Sequence, residues 1–91
     1  MRITRIETRP LRIPYRKPFH WAQGIIEAAE VVLVSVHTDE GVVGYGESMS
    51  SVSASAVQSL LREAESVCLG RSAFEITALM RDAYRHLFAA R

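Results

Sequence analysis

The hydrophobic pattern of this chain changes period once, near its middle, and that change constrains the fold more than any other feature. Upstream of Ser48, apolar and polar residues alternate, as they do in a half-buried strand. Downstream of Ser55, apolar residues recur at three- and four-residue spacing, the period of an amphipathic helix. A run of strands followed by a run of helices predicts an α+β domain, with helices on one face of a small antiparallel sheet.

The clearest strand is Glu30 to Thr38. Val32, Val34 and Val36 share one face, while Val31, Leu33, Ser35 and His37 share the other, which turns polar towards its end. Asp39-Glu40-Gly41 reads as a hairpin loop, with Gly41 in the left-handed position. Val42 to Glu47 returns as the next strand. Gly44 and Gly46 leave one of its faces bare, so a close neighbour is expected against that backbone. Leu11-Arg12-Ile13 alternates as well. Ile3 and Ile6 differ in parity, so the first strand is expected to bend or bulge between them. Pro10 places that strand at an edge, and Pro14 and Pro18 bound a short extended link.

In the second half, Val57, Leu60, Leu61, Ala64, Val67 and Cys68 form one helical stripe. Ser55 and Gln58 fit a capping box at its start, and Gly70 is its stop. Ser72-Ala73-Phe74-Glu75 reads as a second capping box, opening a helix with Ile76, Leu79, Met80, Ala83 and Leu87 on one stripe. No Gly, Asn or Pro ends that helix before Arg91. The expected architecture is a three-stranded antiparallel meander followed by two amphipathic helices. Its strands cover about residues 2–14, 29–38 and 41–47, and its helices about 54–69 and 73–90.

Ninety-one residues suffice for one core and exclude a complete barrel enzyme, which needs roughly 250. A composition of 48% hydrophobic and 23% charged residues argues against disorder. No apolar run reaches the roughly 18 residues that span a bilayer, and Met1 to Arg9 has no apolar signal core, so no membrane partner and a cytoplasmic location are expected. Residues 1–17 hold six basic side chains against Glu7 alone, while the remainder holds five basic and nine acidic ones. That basic segment is the only support for a second reading, a free-standing interaction or nucleic-acid-binding module. Nucleic-acid arms carry denser charge runs than this.

Chemistry-bearing residues are sparse. His20, His37 and His86 are isolated from one another and from the single Cys68, so no metal ligand set is expected. Cys68 lies on the apolar helical stripe, where a thiol serves packing. Gly46-Glu47-Ser48 does not complete a nucleophile elbow. Glu47, at a strand end, is the carboxylate best placed for a general base, although such residues are ordinarily solvated or paired. The segment Phe19-His20-Trp21-Ala22-Gln23-Gly24 displays two aromatic rings and an imidazole in a connection between strands. It can be a ligand wall, or Phe19 and Trp21 can plug the end of the sheet.

Several ordered stretches then resemble a known family. They are Arg2-Ile3-Thr4-Arg5-Ile6-Glu7-Thr8, Leu11-Arg12-Ile13-Pro14, Lys17-Pro18-Phe19, Glu30 to Val34, and Thr38 to Glu47. Leu69-Gly70-Arg71-Ser72-Ala73-Phe74-Glu75-Ile76 follows them. Together they resemble the N-terminal capping domain of the mandelate racemase/muconate lactonizing branch of the enolase superfamily. The resemblance implies that the domain caps a barrel that carries the chemistry, and that two segments close over the substrate. The first corresponds to Phe19, His20, Trp21, Ala22, Gln23 and Gly24. The second runs from Ser48, Met49 and Ser50 to Ser53. Members abstract a proton next to a carboxylate with a Lys or His base and Mg²⁺. In the parent enzyme the reaction would be that of a racemase, a cycloisomerase or a sugar-acid dehydratase. The ligands and bases of such enzymes sit in the barrel, so the resemblance implies no catalytic residue, metal ligand or cofactor within residues 1–91. The expected partners are the barrel and, through it, a small carboxylate substrate. The chain is expected to be inactive alone, cut within its helical layer, and prone to self-association or marginal stability.

Overall fold

The computed structural model describes residues 1–49 and 53–89. It is an α+β fold: a three-stranded antiparallel sheet of order β1-β2-β3, formed by β1 Ile3–Trp21, β2 Gly24–Thr38 and β3 Val43–Met49. Two helices follow, α1 Ala54–Cys68 and α2 Ile76–Tyr84, and α2 continues into a π-helical turn, Arg85–Ala89.

The strand parity read from the isoleucines is realised as a register shift between Ile3 and Arg5. It turns the outer backbone of both Ile3 and Ile6 away from β2. Ile3 N–H donates to Arg71 O (2.9 Å), and Gly70 N–H donates to Ile3 O (2.8 Å). Ile6 N–H donates to Glu65 Oε2 of α1 at 2.7 Å. The start of β1 is thus covered along its free edge by the helical layer.

Prolines mark the rest of that edge. Pro10 pairs with Val32 and Pro14 with Ala28, in the same parity as Ile6. Their missing N–H groups therefore fall on the outer side, where no ladder bond is lost. This corrects the expected end of the first strand near residue 14. Both long strands run on to the hairpin, β1 to Trp21 and β2 back from Gly24. Tyr15 to Pro18 is absorbed as a second register shift between Pro14 and Phe19.

β2 and β3 join through Thr38–Val43, where Gly41 has φ +80° and its N–H donates to Thr38 O at 3.3 Å. Gly70, at φ +79°, terminates α1 as the sequence predicts.

The two capping boxes are not formed. Ser53, not Ser55, caps α1, its Oγ accepting from Ala56 N–H at 3.3 Å. Gln58 is instead drawn to the sheet, where its Nε2 donates to Thr8 Oγ1 at 3.1 Å. The second helix begins at Ile76, not Ala73. Residues 70–73 cannot enter it because the start of β1 captures their backbone. Arg2 bridges Ser72, and Ala73 N–H donates to Met1 O at 2.9 Å. Arg71 then clamps the link to α2 through Asp82 Oδ2 at 2.7 Å.

Among the described residues, the buried apolar core is Ile3, Ala28, Val31, Val32 and Leu79, with Val32 at 0% exposure. Helix α1 covers β1 and β2, with its Val57, Leu61, Ala64, Val67 and Cys68 half-buried, and α2 packs against α1. Burial pushes the Cys68 thiol above its ordinary value, which keeps it protonated and unreactive. The apolar stripe of α2 is wider than the sheet and α1 can cover. Leu79 is buried and Ala83 and Leu87 are half-buried, but Phe74, Ile76, Met80, Tyr84 and Phe88 are 62–73% exposed. Among the described residues nothing lies within 4 Å of where a Cβ on Gly44 or Gly46 would stand, so none of them is the close neighbour expected there. The accessible surface is 6772 Å². A compact monomer of this mass exposes about 5,300 Å². The excess is the arm of the β1–β2 hairpin together with these uncovered faces.

Candidate functional site

The sequence pattern singles out two segments, and the fold presents the first as the tip of an arm. Trp21 pairs with Gly24, His20 with Ile25 and Phe19 with Ile26, which leaves Ala22-Gln23 as a two-residue turn. Gly24 has φ +139°, a conformation that suits glycine. The segment is therefore not an open loop between strands but a strand-supported tip, more rigid than a loop of its length. Below it, Tyr15 to Pro18 oppose a single β2 position, Glu27, between the Pro14–Ala28 and Phe19–Ile26 pairs. Bulges of this kind re-aim a strand end. The Pro14-x-x-x-Pro18 spacing is the signal in the sequence from which this bulge could have been read.

The tip carries its functional groups outward. His20, Trp21, Ala22 and Gln23 are exposed, Trp21 by 49%, and Ile25 beside them by 60%. Among the described residues none of these side chains has a hydrogen-bond or ion-pair partner. The indole of Trp21 does not plug the sheet end: it is half-exposed at the far end of the hairpin. Arg12, Arg16 and Lys17 lie along the same arm, exposed and outside every ion pair of the described residues. The arm therefore presents an aromatic end on a stem of mixed charge, in which Arg12, Arg16 and Lys17 of β1 outnumber Glu27 and Glu30 of β2.

The second segment leaves the same end of the sheet. Ser48 is half-buried and pairs with Val32, and Met49 ends β3 opposite Val31. Ser50 lies outside the described residues, as do the side chains of Phe19 and Met49. Along β2, the Met49 partner Val31 and the tip residue Gly24 are separated by seven positions, roughly 23 Å of strand. The described parts of the two segments therefore lie apart along one end of the sheet. No hydrogen bond or ion pair joins them among the described residues.

The remaining polar cluster lies elsewhere and was not anticipated from the sequence. On the sheet face opposite the helices, His37 Nε2 donates to Glu7 Oε1 at 2.7 Å, and Arg5 reaches the same oxygen at 3.2 Å. Cross-strand pairing makes these residues neighbours: Arg5 faces His37 and Glu7 faces Ser35. A shallow cleft of about 360 Å³ adjoins them, lined by Glu7, Thr8, Arg9, Pro10, Leu33, Ser35 and Tyr45. It is remote from the arm tip. Glu47 faces Leu33 across the ladder and is exposed, with no basic partner among the described residues.

The His37 hydrogen bond, followed by the Arg5 charge, holds the Glu7 carboxyl below its ordinary value of 4.5. Arg71, followed by Arg81, holds Asp82 below 3.8. A carboxylate lowered by folding stabilises above its unfolded pKa and loses that contribution as pH falls through the folded value. The melting temperature is therefore expected to drop on the acid side of pH 4.5, and Glu7→Gln with Asp82→Asn to flatten that drop. Thermal melts of both proteins between about pH 6 and pH 2 check this. An unchanged slope in the double variant contradicts it.

Among the described residues, no three His, Cys, Asp or Glu side chains converge as metal ligands. No helix is long and apolar enough to cross a membrane. The described residues hold no cluster that fits a magnesium centre, and the acid and base they do bring together, Glu7 and His37, lie away from the arm tip. What this chain supplies is a surface.

Comparison with known proteins places that surface. The profile of the mandelate racemase / muconate lactonizing enzyme N-terminal domain matches residues 3–91. L-Ala-D/L-Glu epimerase of Bacillus subtilis is 36% identical over 92 residues, covering 90% of this chain and 24% of the epimerase. Muconate cycloisomerase 1 of Rhodococcus opacus is 34% identical over 97 residues, covering 98% of this chain and 26% of that enzyme. In structure, the substrate-liganded Bacillus subtilis epimerase superposes with a TM-score of 0.84 at 31% identity, over 96% of this chain and 26% of the epimerase. The dipeptide epimerase of Cytophaga hutchinsonii, complexed with Mg and D-Ala-L-Val, shares the fold, with a TM-score of 0.90 at 23% identity over 98% of this chain and 26% of that one. The chain thus spans about a quarter of the length of the relatives it matches. Its sheet order, its hairpin arm and its two helices are those of the N-terminal domain, and the chain belongs to the mandelate racemase / muconate lactonizing enzyme family.

Proposed function

We propose that this chain is the substrate-capping segment of an isomerase that removes a proton next to a carboxylate. The observation that carries the reading is the arm: a strand-supported hairpin tip that holds His20 and Trp21 at its far end, exposed and with no hydrogen-bond or ion-pair partner among the described residues. Such a tip has little to contribute to the stability of its own domain. It is well built to close over a ligand held by another.

The rest of the enzyme is proposed to be the catalytic barrel, supplying Mg²⁺ ligands and the acid/base residues. The Mg present in the Cytophaga hutchinsonii epimerase supports a metal requirement for the full-length enzyme. The exposed stripe Ile76, Met80, Tyr84 and Phe88 is proposed as part of the face that meets the remaining polypeptide. Left bare, an apolar stripe of this kind favours marginal stability of the isolated chain, whose specific self-association is proposed through the β3 edge instead. The chain's own residues exclude water, orient the substrate and set its selectivity. Arg12, Arg16 and Lys17, set against Glu27 and Glu30 on the opposite strand, leave the arm a small positive excess that favours a carboxylate substrate. The relatives that match favour epimerisation, racemisation or cycloisomerisation over dehydration. A cytoplasmic location follows from the same reading.

On this reading the 91-residue chain does not turn over substrate by itself. Incubation with Mg²⁺ and L-Ala-D-Glu, L-Ala-L-Glu or muconate, followed by deuterium incorporation at the carbon next to the carboxylate, is expected to show only the uncatalysed rate. Metal-dependent exchange by the purified chain would overturn the proposal.

A further inference from the structure

The two edges of this sheet are managed in opposite ways. Along β1, Ile3 and Ile6 are bonded to the 70–71 link and to Glu65, and Pro10 and Pro14 remove outward donors. Lys17, Arg12 and Arg16 add charge further along. Natural edges are blunted by these devices. The β3 edge has only one of them, the charge of Glu47. Val43–Met49 contains no proline and no basic residue, and no hydrogen bond among the described residues reaches its outer side.

The backbone that points outward on β3 can be named. Thr38 N–H donates to Val42 O across the β2–β3 turn, and hydrogen-bonded positions alternate along an antiparallel ladder. Gly44, Gly46 and Ser48 therefore bond with Val36, Val34 and Val32. Val43, Tyr45 and Glu47 turn their N–H and C=O groups to the free edge. Three outward pairs of groups make a template for another strand.

We propose that the β3 edge pairs antiparallel with the β3 edge of a second copy of this chain, about a two-fold axis at Tyr45, to give a continuous six-stranded sheet. The segment is self-complementary in that register. Tyr45 faces Tyr45 of the second copy, an aromatic cross-strand pair. Val43 faces Glu47, so the two acidic side chains do not oppose each other. Exchange at the three outward positions gives about six inter-chain backbone hydrogen bonds. The approach is sterically open. Helix α1 lies over β1 and β2, and among the described residues nothing fills the space above Gly44 and Gly46 on the helix side of β3. Tyr45, 73% exposed on the other face, projects beside the seam without blocking it. The pairing does not depend on the enzymatic reading above. It uses a different surface from the α2 stripe.

The test uses the 91-residue chain. Sedimentation velocity from about 5 to 500 μM is expected to show a reversible monomer–dimer equilibrium, in the range of weak interfaces. Tyr45→Pro removes an outward N–H and no ladder bond with β2. It is expected to weaken the dimer at least tenfold while far-UV circular dichroism is unchanged, whereas Met80→Glu on the α2 stripe leaves the dimer intact. A second measurement reads the register without relying on the proline variant. In a Cys68→Ser background, Tyr45→Cys is expected to cross-link to dimer on mild oxidation, since directly opposed hydrogen-bonded residues lie about 5.5 Å apart. Val43→Cys alone does not cross-link, and Val43→Cys mixed with Glu47→Cys does. A chain that stays monomeric throughout, a dimer lost in Met80→Glu but not in Tyr45→Pro, or Tyr45→Cys that cross-links no better than Val43→Cys would overturn the proposal.

Discussion

Val32→Asp is expected to abolish cooperative folding of this chain, whereas Met80→Glu, another apolar-to-acidic change, is expected to leave it intact. Val32 lies in the middle strand, paired on one side with Pro10 and on the other with Ser48, and is completely buried. A carboxylate there would be desolvated with no cation to meet it. Leaving a charge buried and unpaired costs about 3–5 kcal/mol. A domain of this size has roughly 5–14 kcal/mol of stability, and the core here is small, so the loss is of the same order as the whole. At about 4–8 °C per kcal/mol, the midpoint should fall by roughly 12–40 °C, or the transition disappear. Met80 is 67% exposed, on the uncovered side of α2. Its replacement should change stability by no more than about 0.5 kcal/mol. Thermal melts of the two variants separate the buried half of the apolar pattern from the half that this chain leaves in water.

That separation is also where sequence reasoning reached its limit. The strand parity of Ile3 and Ile6, the left-handed Gly41 and the stop at Gly70 were all legible, because each is fixed by the stereochemistry of a few neighbouring residues. The α2 stripe was legible as apolar but not as divided, since periodicity shows which residues avoid water and not whether anything is present to cover them. Leu79 and Met80 are adjacent and equally apolar, yet one is buried and the other bare.

The errors share a cause. Pro14 and Pro18 looked like strand breakers, because the sequence does not show which side of an edge strand each N–H faces. The structure turns Pro14 outward and takes Pro18 into a bulge. Ser72-Ala73-Phe74-Glu75 had the local chemistry of a capping box, but β1 competes for the same backbone through Met1, Arg2 and Ile3. A contact across some 70 residues of sequence is invisible to a four-residue motif. The candidate site followed the same rule. Residues 19–24 could be picked out by their aromatic content, but their support as a hairpin tip depends on a ladder with β2 that local composition does not reveal. The Glu7–His37 cluster left no sequence signal, since it depends on the register of β1 against β2.

The second large effect concerns that tip. If Trp21 walls a substrate pocket, its removal should act on substrate binding more than on the fold, because the indole is half-exposed and makes no hydrogen bond among the described residues. The loss of one aromatic contact at a closing cap corresponds to about tenfold in affinity, or roughly 1.4 kcal/mol. It should appear mainly in KM, since the tip touches substrate and not the reacting atoms. Ala22 and Gln23, in the turn itself, should change selectivity between substrates more than rate.

The most direct measurement of the capping role is a chimera in which residues 1–91 replace the matching N-terminal quarter of the Bacillus subtilis epimerase, a relative 36% identical over that region. Steady-state kinetics over a panel of dipeptides should show an active enzyme whose selectivity differs from that of the parent epimerase. In that chimera, Trp21→Ala should raise KM about tenfold, with a smaller change in kcat and an unchanged melting temperature. A folded, active chimera that keeps the selectivity of the parent epimerase and is indifferent to Trp21→Ala would contradict the account.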